Sequence, residues 1–156
     1  MTMGLPETLP FSGNWDDYLD TVYTVYLETI VNYDLRFNNL PVKPRFTPVT
    51  KGKHFGFWHI IQEGNVEDDR TPDFRRTERL RWIKWVIENY KTSAAISWWI
   101  ETRDNVNEVV LWVEHEQYVV VLSERRDYWL LKTAYLADRP KKIKQLQKSR
   151  AKLARP

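Results

Sequence analysis

The 156-residue chain has no cysteine, only five glycines and no long apolar run. Without cysteine there is neither a disulfide nor a thiolate metal site. The few glycines form no GxGxxG or GxxxxGK(S/T) pattern, so no glycine-rich loop is available to cradle a nucleotide's phosphates. His54, His59 and His115 fit no HExxH or paired-ligand spacing, and no GxSxG elbow marks a serine nucleophile. No metal and no cofactor is therefore expected. A membrane helix needs about eighteen consecutive apolar residues, and no stretch comes near that length. The opening MTMGLPETLPFSG lacks the positive and apolar regions of a signal peptide. A cytoplasmic protein without a membrane partner is the expectation.

What is present is aromatic and charged. Hydrophobic residues make up 42% of the chain and aromatics 14%, with eight Trp and eight Tyr, enough for one packed core. The chain reads as a single domain over residues 1–156: a helix and Pro-rich connector over 1–50, a core over 51–138, and a basic end over 139–156. The net charge of +3 conceals an asymmetry. Arg139–Pro156 holds eight Lys or Arg and no Asp or Glu, which leaves 16 basic against 21 acidic residues in the body. Positive charge is local, so a polyanion would be gripped at particular places. A cationic chain end is often only a solvated, frayed helix. Against that, such a helix suits counterion release from RNA, with Lys141, Lys142, Lys144, Lys148 and Arg150 as contacts. Composition weights the two alike.

NWDDYLDTVYTVYLETIVN reads as the first helix, capped by Asn14, with an apolar stripe at Leu19, Val22, Tyr23, Tyr26 and Ile30. NNLPVKPRFTPV reads as an extended connector, neither helix nor central strand. KHFGFWHIIQEG is expected as a strand, whose alternation sets His59 with Phe55, Phe57, Ile61 and Glu63. A helix capped by Thr71, with Pro72 at its first position, should run to about Tyr90. AAISWWIETR and EVVLWVEHE follow as strands, and YVVVLSERRDYWLLKTAYL as a hairpin. A basic helix closes the chain after Asp138, Arg139 and Pro140. The order is α+β.

Leu80, Ile83, Val86, Ile87 and Tyr90 make one apolar stripe on the central helix, and projecting it back turns Arg76 and Arg79 inward. An inward Arg needs a carboxylate or a bound anion. The partners are either Glu63, Glu67 or Asp68, or a phosphate, which the guanidinium fork matches. A lone mid-strand histidine such as His59 is more often structural, and Glu63 on the same face is what favours chemistry. His54 is expected to be exposed, and His115 to form a surface ion pair. In the last strand Thr133 and Tyr135 alternate with Trp129 and Leu131, and Lys132 falls on the other face with Leu130 and Ala134. Periodicity leaves open which face is buried.

FWHIIQEG, EDDRTPDFRRTERLRWIKWVIEN and YVVVLSERRDYWLLKTAYL with its Lys-rich helix resemble, over about Phe57–Lys152, a phage- and prophage-associated family. That family belongs to the ribonuclease superfamily uniting barnase, EndoU, the colicin tRNases and the RelE toxins (BECR). The resemblance implies N-terminal helices packed on a four-stranded antiparallel sheet, with an active cleft on the sheet's open face. It implies a metal-independent endoribonuclease, a toxin cleaving tRNA or other structured RNA by 2′-hydroxyl attack on the adjacent phosphate. Such chemistry needs a base, an acid and cations. By the resemblance His59 would be base or acid, Thr133 and Tyr135 would line the cleft, and Arg76 and Arg79 would hold the phosphate or orient the others. Glu63 and Arg70 would also meet the substrate, and a cognate inhibitor protein would be a partner. The alternative is a non-catalytic nucleic-acid-binding or phage-related interaction protein on the same fold.

Overall fold

The computed structural model describes residues 4–63 and 71–153. Asn14 starts helix α1 (Trp15–Tyr26) as expected, its side chain accepting from the Asp17 N–H at 2.9 Å, and Leu27–Val31 continue it as a π-helical turn. The chain ahead of α1 is tied down: Leu9 N–H donates to Glu78 O (2.8 Å) and Trp82 Nε1 to Pro6 O (2.8 Å).

The proline-rich connector enters the sheet. Arg36–Phe37 (β1) turns at Asn38 and Asn39, both at positive φ (49° and 67°), into Leu40–Lys43 (β2). Two left-handed centres suit a two-residue hairpin, and Asn tolerates them better than most residues. Val49–Thr50 (β3) and Lys53–His54 (β4) form a second short hairpin.

FGFWHII is not a strand. It is helix α2 (Phe55–Ile61), with Phe57, Ile60 and Ile61 buried at helical spacing. A seven-residue apolar run carries both periods, and packing against the core chose the helical one. His59 therefore does not share a strand face with Glu63, whose backbone follows in β5 (Gln62–Glu63). Thr71 is not a helix cap either. It lies in β6 (Thr71–Pro72), paired with β5, and Asp73 caps instead, accepting from the Arg75 N–H at 2.8 Å. The central helix is two: α3 (Phe74–Glu78) and α4 (Leu80–Asn89), parted where Arg79 leaves helical geometry (φ −105°, ψ 17°). The Tyr118 hydroxyl donates to the Arg79 carbonyl at that break (3.3 Å).

Four antiparallel strands then run as a meander: β7 (Ile96–Arg103), β8 (Val106–Val113), β9 (Tyr118–Glu124) and β10 (Trp129–Leu136). Asp104 and Asn105 turn the first hairpin at positive φ, and Gln117 does so before β9. The sheet has six strands rather than four, in the order β1-β2-β10-β9-β8-β7, because β2 adds parallel to β10. Its inner face buries Val109, Leu111, Val120, Leu122 and Leu131 against α1, α2 and α4. Its outer face is not left open: α5 (Pro140–Leu153) lies there, with Leu146 buried among Trp99, Val110, Trp112 and Val119. The architecture is α+β. Among the described residues no helix is long and apolar enough to cross a membrane.

Candidate nucleic-acid interface

The outer face owes its polarity to an irregularity in β10. Leu131 pairs with Leu122 but Thr133 pairs with Val121, so Lys132 is an extra residue, a β-bulge. Before the bulge Trp129 and Leu131 point inward; after it Ala134 and Leu136 do. Thr133 and Tyr135 are thereby moved off the Trp129 face, and Lys132 joins them on the outer side. Strict alternation would have buried the threonine hydroxyl and the phenol against the helices.

α5 roofs part of this face. Ile143, Leu146 and Leu153 seat it. Arg150 fastens it, with its guanidinium 4.8 Å over the Trp112 ring, 2.7 Å from a Glu114 oxygen and 3.2 Å from Ser97 Oγ. Two adjoining clefts remain between helix and sheet. One, of about 160 Å³, is walled by Glu101, Arg103, Glu108, Lys132 and Thr133. The other, of about 210 Å³, is walled by Asp73, Arg75, Arg76, Asp138 and Arg139. Tyr135 and Lys142 line both. Six cations thus meet four carboxylates along the two clefts.

The charges in the first cleft are interlocked. Glu101 and Glu108 stand directly opposite on β7 and β8, an unfavourable pairing unless neutralised. Arg103 Nε lies 3.4 Å from one and 3.9 Å from the other, Lys132 Nζ reaches Glu108 at 2.5 Å, and Trp99 Nε1 donates to Glu101 at 2.8 Å. In the second cleft Arg75 is ion-paired to Asp138 and Asp73, and the Asp138 carboxyl is held below its ordinary range chiefly by that guanidinium. Arg76, only 15% exposed, donates to Gln62 O at 2.7 Å and has Nε 3.9 Å from Asp73.

The shared wall has its own electrostatics. Burial pushes the Tyr135 phenol up to about 12, so it keeps its proton at neutral pH. Burial, with Arg103 nearby, lowers the Lys142 ammonium, which stands 5.5 Å over the Tyr135 ring. Away from the sheet α5 presents Lys141, Lys144, Lys148 and Lys152, which fall within an arc of about 80° at 3.6 residues per turn. All four are exposed, and none makes an ion pair among the described residues.

Of the residues singled out from the sequence, Thr133 lines the first cleft, Arg76 the second, and Tyr135 and Lys142 both; Lys142, expected on the basic end, thus joins the cleft wall. His59 is not: it lines neither cleft, and its ring stacks on Phe55 (5.9 Å, 15°). Arg79 is also elsewhere, over the Trp82 ring and 3.6 Å from Glu78. Arg70, Glu67 and Asp68 lie outside the described residues. Arg150, expected to meet RNA, is occupied as a fastening. His54, expected exposed, is part-buried, its Nδ1 3.0 Å from the Tyr26 hydroxyl, and burial lowers its pKa. His115 is exposed with Glu116 at 3.9 Å. Sequence reasoning missed Arg75, Arg103, Lys132, Arg139, Glu101 and Glu108. Only Arg139 carried a signal, its place in the carboxylate-free end. Among the described residues no three His, Asp or Glu side chains group as metal ligands. Comparison with protein-family models, curated proteins and solved structures finds no match.

Proposed function

We propose that this protein binds RNA by its phosphates on the outer face of the sheet. One observation carries the reading: Arg76, Arg139 and Lys142 line one cleft with Tyr135, beneath a helix that adds four unpaired lysines and no carboxylate. Guanidinium forks and a phenol that stays protonated donate to phosphate oxygens. The lysine stripe supplies the longer-range attraction. Arg76→Ala with Lys142→Ala is expected to weaken binding of a labelled RNA about 10- to 100-fold, two charge-assisted contacts being removed. Unchanged affinity in the folded double variant sinks the reading.

A second reading, cleavage of the bound strand, is favoured by the Lys142–Tyr135 contact. In its neutral form the Lys142 amine can take the 2′-hydroxyl proton, the Tyr135 phenol can give one to the departing 5′-oxygen, and Arg76 can meet the phosphorane charge. In this reading Lys142, not His59, is the base. EDTA-treated protein should then release fragments ending in a cyclic phosphate, and Lys142→Ala should slow release by about 100-fold or more. If no RNA is cut at any protein concentration, binding alone stands.

A further inference from the structure

Further along the same face, at its β2 edge, lies an open cleft of about 690 Å³ lined by Lys43, Arg45, Phe46, Arg125, Tyr128 and Leu130, with no carboxylate in its wall. None of its three cations makes an ion pair among the described residues. Arg45 Nε donates to Thr47 O (2.9 Å), and Arg125 Nη1 to Ser123 Oγ (2.7 Å) and Glu124 O (3.1 Å). Each guanidinium is thus aimed by neutral acceptors. Phe46 is 41% exposed, and the Tyr128 ring has Lys43 Nζ 5.6 Å from its centre.

Phe46 also packs against the His54 ring (5.1 Å, 88°) and Arg45 lies 4.6 Å over the Phe55 ring. Cations with no carboxylate against them beside part-exposed aromatic rings are what a single nucleic-acid strand meets: phosphates on the charges, bases on the rings. A duplex keeps its bases stacked on each other and offers the rings nothing. Lys43 is paired in register with Leu130, and from Leu130 the outward residues of β10 are Lys132, Thr133 and Tyr135, which lead into the two clefts under α5. Six residue steps from Leu130 to Leu136 span about 20 Å of strand, enough for about six stacked nucleotides at ~3.4 Å each.

We propose that this cleft is a second subsite, where a base and its phosphates dock, and that the ligand is a single strand laid along β10. The proposal rests on the phosphate-binding reading above and adds to it the strandedness and the path. RNA and DNA strands share the chemistry, so both enter the test.

Fluorescence anisotropy on the full chain would compare U and dT oligomers of four and twelve nucleotides with a twelve-base-pair duplex. Wild type should bind a twelve-mer at least tenfold tighter than the four-mer. Lys43→Glu/Arg45→Glu/Arg125→Glu should remove that advantage, and Tyr128→Ala should cost the twelve-mer about tenfold. Four-mer affinity, set by the clefts under α5, should stay. Whichever twelve-mer shows these losses identifies the sugar accepted. Twelve-mer binding unaltered in the folded triple variant overturns the subsite, as does an equal loss for the duplex. If wild type binds no strand of any length, the phosphate-binding reading falls with it.

Discussion

Glu108 is 6% exposed and faces Glu101 across the β7–β8 pair, so the two carboxylates depend on Arg103 and Lys132 for their charge balance. Lys132→Ala removes the nearer cation and leaves Glu108 with Arg103 at 3.9 Å. Because the lysine side chain is 46% exposed, the cost is expected to be about 1–2 kcal/mol, below that of a fully buried pair. Urea unfolding measures it, and a variant as stable as the parent would show the pair to be decorative. Lys132 also marks the limit of the sequence at this scale. WLLKTAYL alternates well enough to place Lys132 opposite Thr133, and nothing local announces that β9 will spare one residue there. The bulge is a choice of pairing register between strands, and it reverses the facing of every residue after it. Arg76 still turns inward although the break at Arg79 parts it from the apolar stripe of α4.

Among the elements, α2 is held by a glycine that sequence patterning does not single out. A Cβ on Gly56 would lie 2.8 Å from Arg45 O and 2.9 Å from Arg45 N, and the Gly56 N–H already donates to that carbonyl at 2.7 Å. Backbone cannot yield as a side-chain end can, so Gly56→Ala should destabilise by about 1–3 kcal/mol. A thermal melt should show a fall of about 3–10 °C, and an unchanged melt would contradict the close approach. α5 offers a test by pH. Arg150 holds the Glu114 carboxyl, and Arg75 the Asp138 carboxyl, below the ordinary carboxylate range. A carboxyl bound more tightly when ionised contributes fully above its unfolded value, about pH 4, and loses that contribution as pH falls through the depressed one. Amide protection in α5 should therefore drop below about pH 4 while β8 and β9 stay protected. Protection unchanged down to pH 2 would contradict the fastening. The meander, its two Asn- and Gln-bearing turns and the first helix were legible because each repeats a local pattern over many residues. β1, β2 and α2 were not, since two- to seven-residue segments take their conformation from the core they join.

At the scale of the molecule, the cationic excess is gathered on one element. α5 carries six Lys or Arg and no acid on the outer face of the sheet, while α1 and its π-helical turn carry Asp16, Asp17, Asp20 and Glu28 on the other side. The sequence revealed the excess at the chain end but not its placement, because only Leu146 and its neighbours decide that the helix lies back over the outer face. That placement makes RNA affinity the quantity to measure. The full chain should be titrated with a labelled single-stranded RNA over a series of salt concentrations, beside Lys141→Glu/Lys144→Glu/Lys148→Glu/Lys152→Glu. Each phosphate contact to a single strand contributes about −0.7 to the slope of log affinity against log salt. Four lysine contacts alone predict a slope of about −3 or steeper for the wild type, and a shallow slope with weakened binding for the variant. RNA binding that is absent at low salt, or that is equally strong in the variant with the same slope, would contradict the account.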